Sequence, residues 1–342
     1  MTTEMTPYDG RAWAEIEKWR EGQLTARGRR LVPEKVRTKG AATWRSGKEK
    51  FDSLPGAEGF EALFTKAIGG LIDLASRGAM ASVRDQAIVK AFQKWSHDVK
   101  TIEDIKSLNL RDIDQVKPNL AVAYSTASAV EGAAAGFAIG GGQALAAGGA
   151  VLGAGAGGAP GVGAVVGVMA ADAAAVLVAA NRAVAHTAAY YGYDHTKPDE
   201  RLFALAVLSM GTAAGAGKAA AYIEINKLVQ MLARRATWQQ LRQSTVTRVV
   251  EQVFIRLGFR ITQRKLAQAV PIVGGLFGAG LNARLLLSVV DDADHIYRER
   301  FLRERYGITV HPVSVDPATD DDVIDIAEVV EEESDEDPQQ AA

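Results

Sequence analysis

EGAAAGFAIGGGQALAAGGAVLGAGAGGAPGVGAVVGVMAAD, residues 131–172, decides how the rest of the chain is read. Between Glu131 and Asp172 there is no charged side chain, and Gly and Ala dominate. Glycines recur every four residues: Gly132, Gly136, Gly140, then Gly149, Gly153, Gly157, Gly161, and again Gly163 and Gly167. That spacing lines them along one helix face, and a face without side chains lets another backbone come close. Each Gly costs a helix roughly 1 kcal/mol relative to Ala, so packing against a neighbour must compensate. GAGAGGAPGVG (153–163) marks the break, because Pro160 lacks a donor and interrupts a helix interior. The pattern predicts a helical hairpin with arms over about 120–154 and 163–191.

Spanning a bilayer takes about 20 apolar residues. Residues 132–154 have the length, but only Phe137, Ile139, Leu145, Val151 and Leu152 are strongly apolar. The second arm carries Asp172, and a central carboxylate costs about 2.5–3.5 kcal/mol against roughly 0.3–0.6 returned by each large apolar residue. Insertion therefore needs a partner for Asp172, for which Asn282 and Arg284 are the candidates. A close-packed helix pair inside a protein core is the simpler expectation.

Moving outward, residues 8–30 read as a helix with Trp13, Ile16 and Trp19 on one side. Residues 18–50 are strongly basic; such a run is ordinarily a solvated helical face, and its interleaving with Trp also suits a membrane surface. Helical stripes follow: Phe60 to Ile72, then Val83, Ile88, Phe92 and Trp95, then a short element with Ile105, Leu108 and Leu110. Lys117-Pro118 leads into the hairpin. After it, Gly192 ends one helix and Pro198 starts the next, with Asp199 and Glu200 in the positive first turn. Helices over 219–236 and 244–258 come next. VPIVGGLFGAGLNARLLLSVV (270–290) repeats the glycine theme and continues as helix to Gly307. Gly278 is expected to help this helix lie against the hairpin. Alternating apolar runs are absent, so strands should be scarce.

The formal net charge of −2 hides an asymmetry. From His311 onward there are 12 acids and no Lys or Arg, so the rest of the chain carries −2 + 12 = +10. A basic body favours anionic partners, and the acidic tail is expected to be disordered. Nucleic acid is not expected, since no binding motif frames the charge. Absence of Cys excludes disulfides, thiolate metal sites and a Cys nucleophile, and fits a reducing cytosol. MTTEMTPYDGRAW carries no apolar run of the secretory type.

The C-terminal half resembles the EcsC family. The resemblance rests on Tyr191-Gly192 with its following turn, the PDERLFAL helix start, the Val-Pro-Ile-Val-Gly-Gly…Gly-Leu-Asn segment, and the Ala293, Tyr297, Arg300, Phe301 and Leu302 face. The patterns AWAEIEKWR and FEALFTKAIGGLIDLA resemble that family's opening, so the likeness covers roughly residues 10–307. It implies an all-helical bacterial protein from a family named for a component encoded beside an ABC exporter. It implies no catalytic residues, because the family's biochemical role is undefined.

Chemical motifs are weak. Gly153, Gly155 and Gly158 fit a dinucleotide fingerprint but no strand precedes them, and GTAAGAGKA (211–219) has the wrong spacing for a phosphate loop. His186, Asp194, His195, Glu200, Asp291, Asp292, Asp294 and His295 offer imidazole and carboxylate. Of these, His186, Asp194, His195, Asp291 and His295 form the candidate metal set, although acids beside arginines are ordinarily surface pairs. No cofactor is expected.

The sequence thus predicts an all-α, multi-helix bundle around a central Gly/Ala-rich hairpin. Its divisions are a basic N-terminal region (1–118), the hairpin (119–194), a C-terminal helical region of the same EcsC-like domain (195–312) and the acidic tail (313–342). The expected function is that of a non-enzymatic accessory protein at the cytoplasmic membrane face, peripheral or inserted, whose partners are anionic lipid or ABC exporter subunits. The alternative is a metal-dependent hydrolase using the His/Asp group.

Overall fold

The computed structural model describes residues 4–24, 83–124, 160–213, 216–233, 249, 253–258 and 276–308. Side chains are described from Ala173 onward in the helix that begins at Pro160, and from Ala283 onward in the last helix. The described elements are α1 (Pro7–Leu24), α2 (Asp85–Lys94), a 3-10 turn (Glu103–Ser107), α3 (Leu110–Val116), α4 (Pro160–Tyr190), α5 (Pro198–Thr212), α6 (Ala216–Ala233) and α7 (Leu276–Tyr306). No strand occurs among the described residues, and the fold is all-α.

The most deeply placed element is α5. Leu202 through Thr212 are all buried, so this helix is covered on every side. Pro198 opens it, where a missing N–H costs nothing. It packs against α4, α6 and α7, while α7 also lies along α4. α1 crosses over α7 and α6, and α2 and α3 close the sides through α4 and α1.

The second hairpin arm appears as α4, with Pro160 at its first position. The first arm, including Gly132, Gly136, Gly140, Gly149, Gly153 and Gly157, lies outside the described residues. So does the tail 313–342, and so does the environment of Gly278 within α7. The expected contact of the last helix with the second arm is present as α7 on α4. A glycine-mediated approach occurs elsewhere. A Cβ built on Gly211 of α5 would stand 2.7 Å from the Cα of Val289 in α7. Backbone at that distance cannot yield as a flexible side chain can.

Trp13 and Trp19, expected on one side of α1 with Ile16, pack against the core. Two expectations are corrected. Arg284, a candidate buried polar group, is exposed on α7; the side chains of Asp172 and Asn282 lie outside the described residues. Trp95, placed on an apolar stripe by its spacing, is 57% exposed, because α2 ends at Lys94 and the chain turns there. Among the described residues, no helix is long and apolar enough to cross a membrane.

Candidate functional site

The last helix holds DDADHIYRERFLRERY over 291–306, with charges at every angle around its axis. Yet Asp292 and Glu299 are only 1% and 2% exposed. An isolated buried charge is expensive, so each must meet a partner. Each one does, and the partners come from different elements.

Lys218 of α6 donates to Asp292 at 2.6 Å. Tyr191 donates to Asp294 at 3.0 Å, and Lys117 pairs with the same oxygen. Arg298 donates to Asp114 of α3 at 2.6 Å, and Tyr8 of α1 donates to that oxygen at 2.8 Å. Tyr222 of α6 donates to both oxygens of Glu299 at 2.8 and 3.0 Å, with Arg20 of α1 adding a contact at 3.3 Å. Arg300 grips Glu200 of α5 through two bonds of 2.7 Å, the bidentate geometry that a planar guanidinium favours.

The connector between α4 and α5, YYGYDH (190–195), completes this seam. Gly192 has φ +83°, and a Cβ there would stand 2.8 Å from the backbone nitrogen of Lys106. Only Gly fits both demands. The turn delivers Tyr193 beneath two cations: Lys106 Nζ lies 3.9 Å and the Arg300 guanidinium 4.2 Å from the ring centroid. Arg300 also lies 4.4 Å from the centroid of Phe203, so it is bracketed by two rings and a carboxylate.

Burial is the larger electrostatic effect throughout. It raises the carboxyls of Glu200, Asp292, Glu299 and Asp114 above their ordinary range. Arg300, Lys218, the Tyr222 hydroxyl and Arg298, respectively, pull back against that rise without reversing it. On Arg300 the opposite balance holds: burial lowers its pKa, and Tyr193 with Glu200 more than restores it.

The residues singled out for metal chemistry do not converge. His186 Nδ1 lies 3.2 Å from the Tyr124 hydroxyl, and its ring packs on Tyr190. Burial lowers His186 to about 4 and pushes Tyr124 up to about 12. His195 Nδ1 lies 3.8 Å from Asp85 Oδ1, and neither atom has a hydrogen-bond partner. Asp194 instead accepts from the backbone N–H and hydroxyl of Thr196. His295 is stacked on Trp19, with ring centroids 4.7 Å apart, and its Nδ1 lies 2.8 Å from the carbonyl of Asp291 and 3.7 Å from that residue's carboxylate. No group of three or more His, Cys, Asp or Glu able to hold a metal ion occurs among the described residues. The candidate metal set is therefore not assembled among the described residues: Asp291 and His295 share α7, while His186, Asp194 and His195 face other partners.

Ser288, Lys218 and Asp292 resemble a Ser/Lys arrangement. Here Lys218 donates to Ser288 Oγ at 3.0 Å. A nucleophilic serine must surrender its proton to its base, so the bond runs the wrong way. The chemistry this seam performs is neutralisation of buried charge between helices.

Asp114, Tyr8, Tyr222, Arg20 and Lys218 were not singled out from sequence, since each looks like an ordinary polar position on its own helix. The available signal was in α7 itself: a helix charged all round needs partners on all sides. These observations define an all-helical domain centred on a charged final helix. Residues 143–302 match the family model described as the EcsC protein family. Over those residues the chain matches that family, and the motifs that carried the resemblance, Tyr191-Gly192, PDERLFAL and the Tyr297–Leu302 face, meet one another in the seam. A relative from Bacillus subtilis (strain 168), the uncharacterized protein YdbA, is 25% identical over 248 residues, covering 70% of this chain and 79% of the relative. No solved structure matches.

Proposed function

We propose that this EcsC-family chain is a non-enzymatic accessory protein that works against the cytoplasmic face of an anionic membrane, alone or beside an ABC exporter. The observation that carries the reading is the charge division: a body of +10 ahead of a tail with 12 acids and no Lys or Arg. A body so charged is drawn to anionic headgroups. Supporting it, the seam's buried carboxylates are paired with cations and hydroxyls of neighbouring helices, which makes them a scaffold. The exporter part of the reading comes from the family resemblance.

Flotation of the full-length protein with vesicles containing phosphatidylglycerol tests this at two salt concentrations. Recovery with the vesicles at low salt, falling at about 0.5 M, is expected, because screening shortens the reach of exposed charges. No recovery at low salt overturns the reading.

A further inference from the structure

We infer that the C-terminal end of α2, with Trp95 at its tip, is the surface this protein lays against an anionic lipid bilayer. The inference rests on the membrane reading above and assigns it a place.

Phe92, Ile88 and Val89 turn one side of α2 into the core. Lys90 and Lys94, four apart, stand together on the opposite side, and both are exposed. The chain then turns sharply. Trp95 caps the helix with its backbone N–H, and Ser96 takes φ +65°. A non-glycine residue seldom adopts that value. Gln93 Nε2 donates to the Val99 carbonyl at 2.8 Å, tying the turn back onto the helix, and Val99 is buried below it. The turn is thus anchored, and what it projects is an indole.

Of the three described tryptophans, Trp13 and Trp19 pack against the core while Trp95 remains 57% exposed. Lys94 directly precedes it, Lys90 lies one helical turn further back and Lys100 follows the turn, all exposed, with Asp98 exposed between them. Lys90 and Lys94 have no ion pair among the described residues, in contrast to the paired charges of the seam, whereas Lys100 sits beside Asp104, which accepts from its backbone N–H. An amphipathic indole next to the unpaired ammonium groups of Lys90 and Lys94 matches the boundary between anionic headgroups and acyl chains. The chain's own acidic tail would offer the charge but not an acyl layer for the ring.

The test uses full-length protein and vesicles of phosphatidylglycerol or phosphatidylcholine, with brominated-acyl versions of each. Wild type is expected to bind the anionic vesicles, and brominated lipid should quench part of its tryptophan emission. Trp95→Phe should remove that quenchable part. Lys90→Ala with Lys94→Ala should weaken partitioning on the order of 25-fold, about fivefold per lysine. Since all three side chains are exposed, unchanged thermal unfolding of the variants confirms intact folding. If wild type binds and both variants match it in affinity and quenching, this assignment is overturned while the membrane reading stands. Loss of lysine-dependent binding without any Trp95-dependent quenching also overturns it, because the indole would then be outside the lipid. If wild type does not bind at all, both fall.

Discussion

Arg300 shows what a single side chain does here. It is bound bidentately by Glu200 and bracketed by Tyr193 and Phe203, so it joins α5, the connector and α7 at one point. Truncating one member of such a pair strands a buried charge, a loss of about 3–5 kcal/mol. Arg300→Met and Glu200→Gln should each lose that much in urea unfolding. Replacing both, as Arg300→Met with Glu200→Leu, should lose clearly less than either alone, since burial already outweighs the ion pair at Glu200. His186 makes a second case. Its pKa is lowered to about 4 by burial, so between about 6.5 and 4 the unfolded chain takes up a proton that the folded one refuses. Stability should therefore fall as pH drops through that window. Against His186→Gln the wild type should lose on the order of 2 kcal/mol more by pH 5, measured as unfolding free energy across pH.

At the scale of elements, the crossing of α5 and α7 is set by a missing side chain. Gly211→Ala would press a Cβ onto the Val289 backbone and push the two helices apart. The expected cost is about 1–3 kcal/mol. Gly10, in α1, has nothing within 4 Å of a built Cβ, so Gly10→Ala should stabilise by roughly 0.5–1 kcal/mol. Thermal unfolding of the two variants checks both signs. The same geometry accounts for what was and was not legible at this scale. Pro160, Gly192, Pro198 and Gly307 punctuate the helices where their backbone chemistry predicts, since punctuation is local. Gly211 drew attention only as part of a phosphate-loop lookalike. Its close neighbour is 78 positions away in sequence (289 − 211), and no local pattern announces it.

For the whole molecule, the question is how a body of +10 and a tail of 12 acids share one chain. Opposite charges on one polymer attract at low ionic strength and separate in salt. On the membrane reading, such a tail would compete with lipid for the basic body. Removing 313–342 should strengthen binding to phosphatidylglycerol vesicles and steepen its dependence on salt, as read by flotation at graded salt concentrations. Unchanged affinity would show that the tail leaves the basic surface uncovered.

Composition and periodicity alone determined that this chain is predominantly helical in its described part, that Gly192 and Pro198 bound two of its helices, and that its charge is split between body and tail. These follow from backbone propensity, spacing and counting, which need no knowledge of neighbours. The tertiary structure decided which charges are paired and which face water. Trp95 looked suited to a core and was left outside, because the helix that would carry it inward ends one residue earlier. His186, His195 and His295 looked like one cluster and were placed apart. Whether a polar or aromatic side chain is a contact or an exposed group depends on what another helix brings to within a few ångströms. That distance is set by packing across the whole chain.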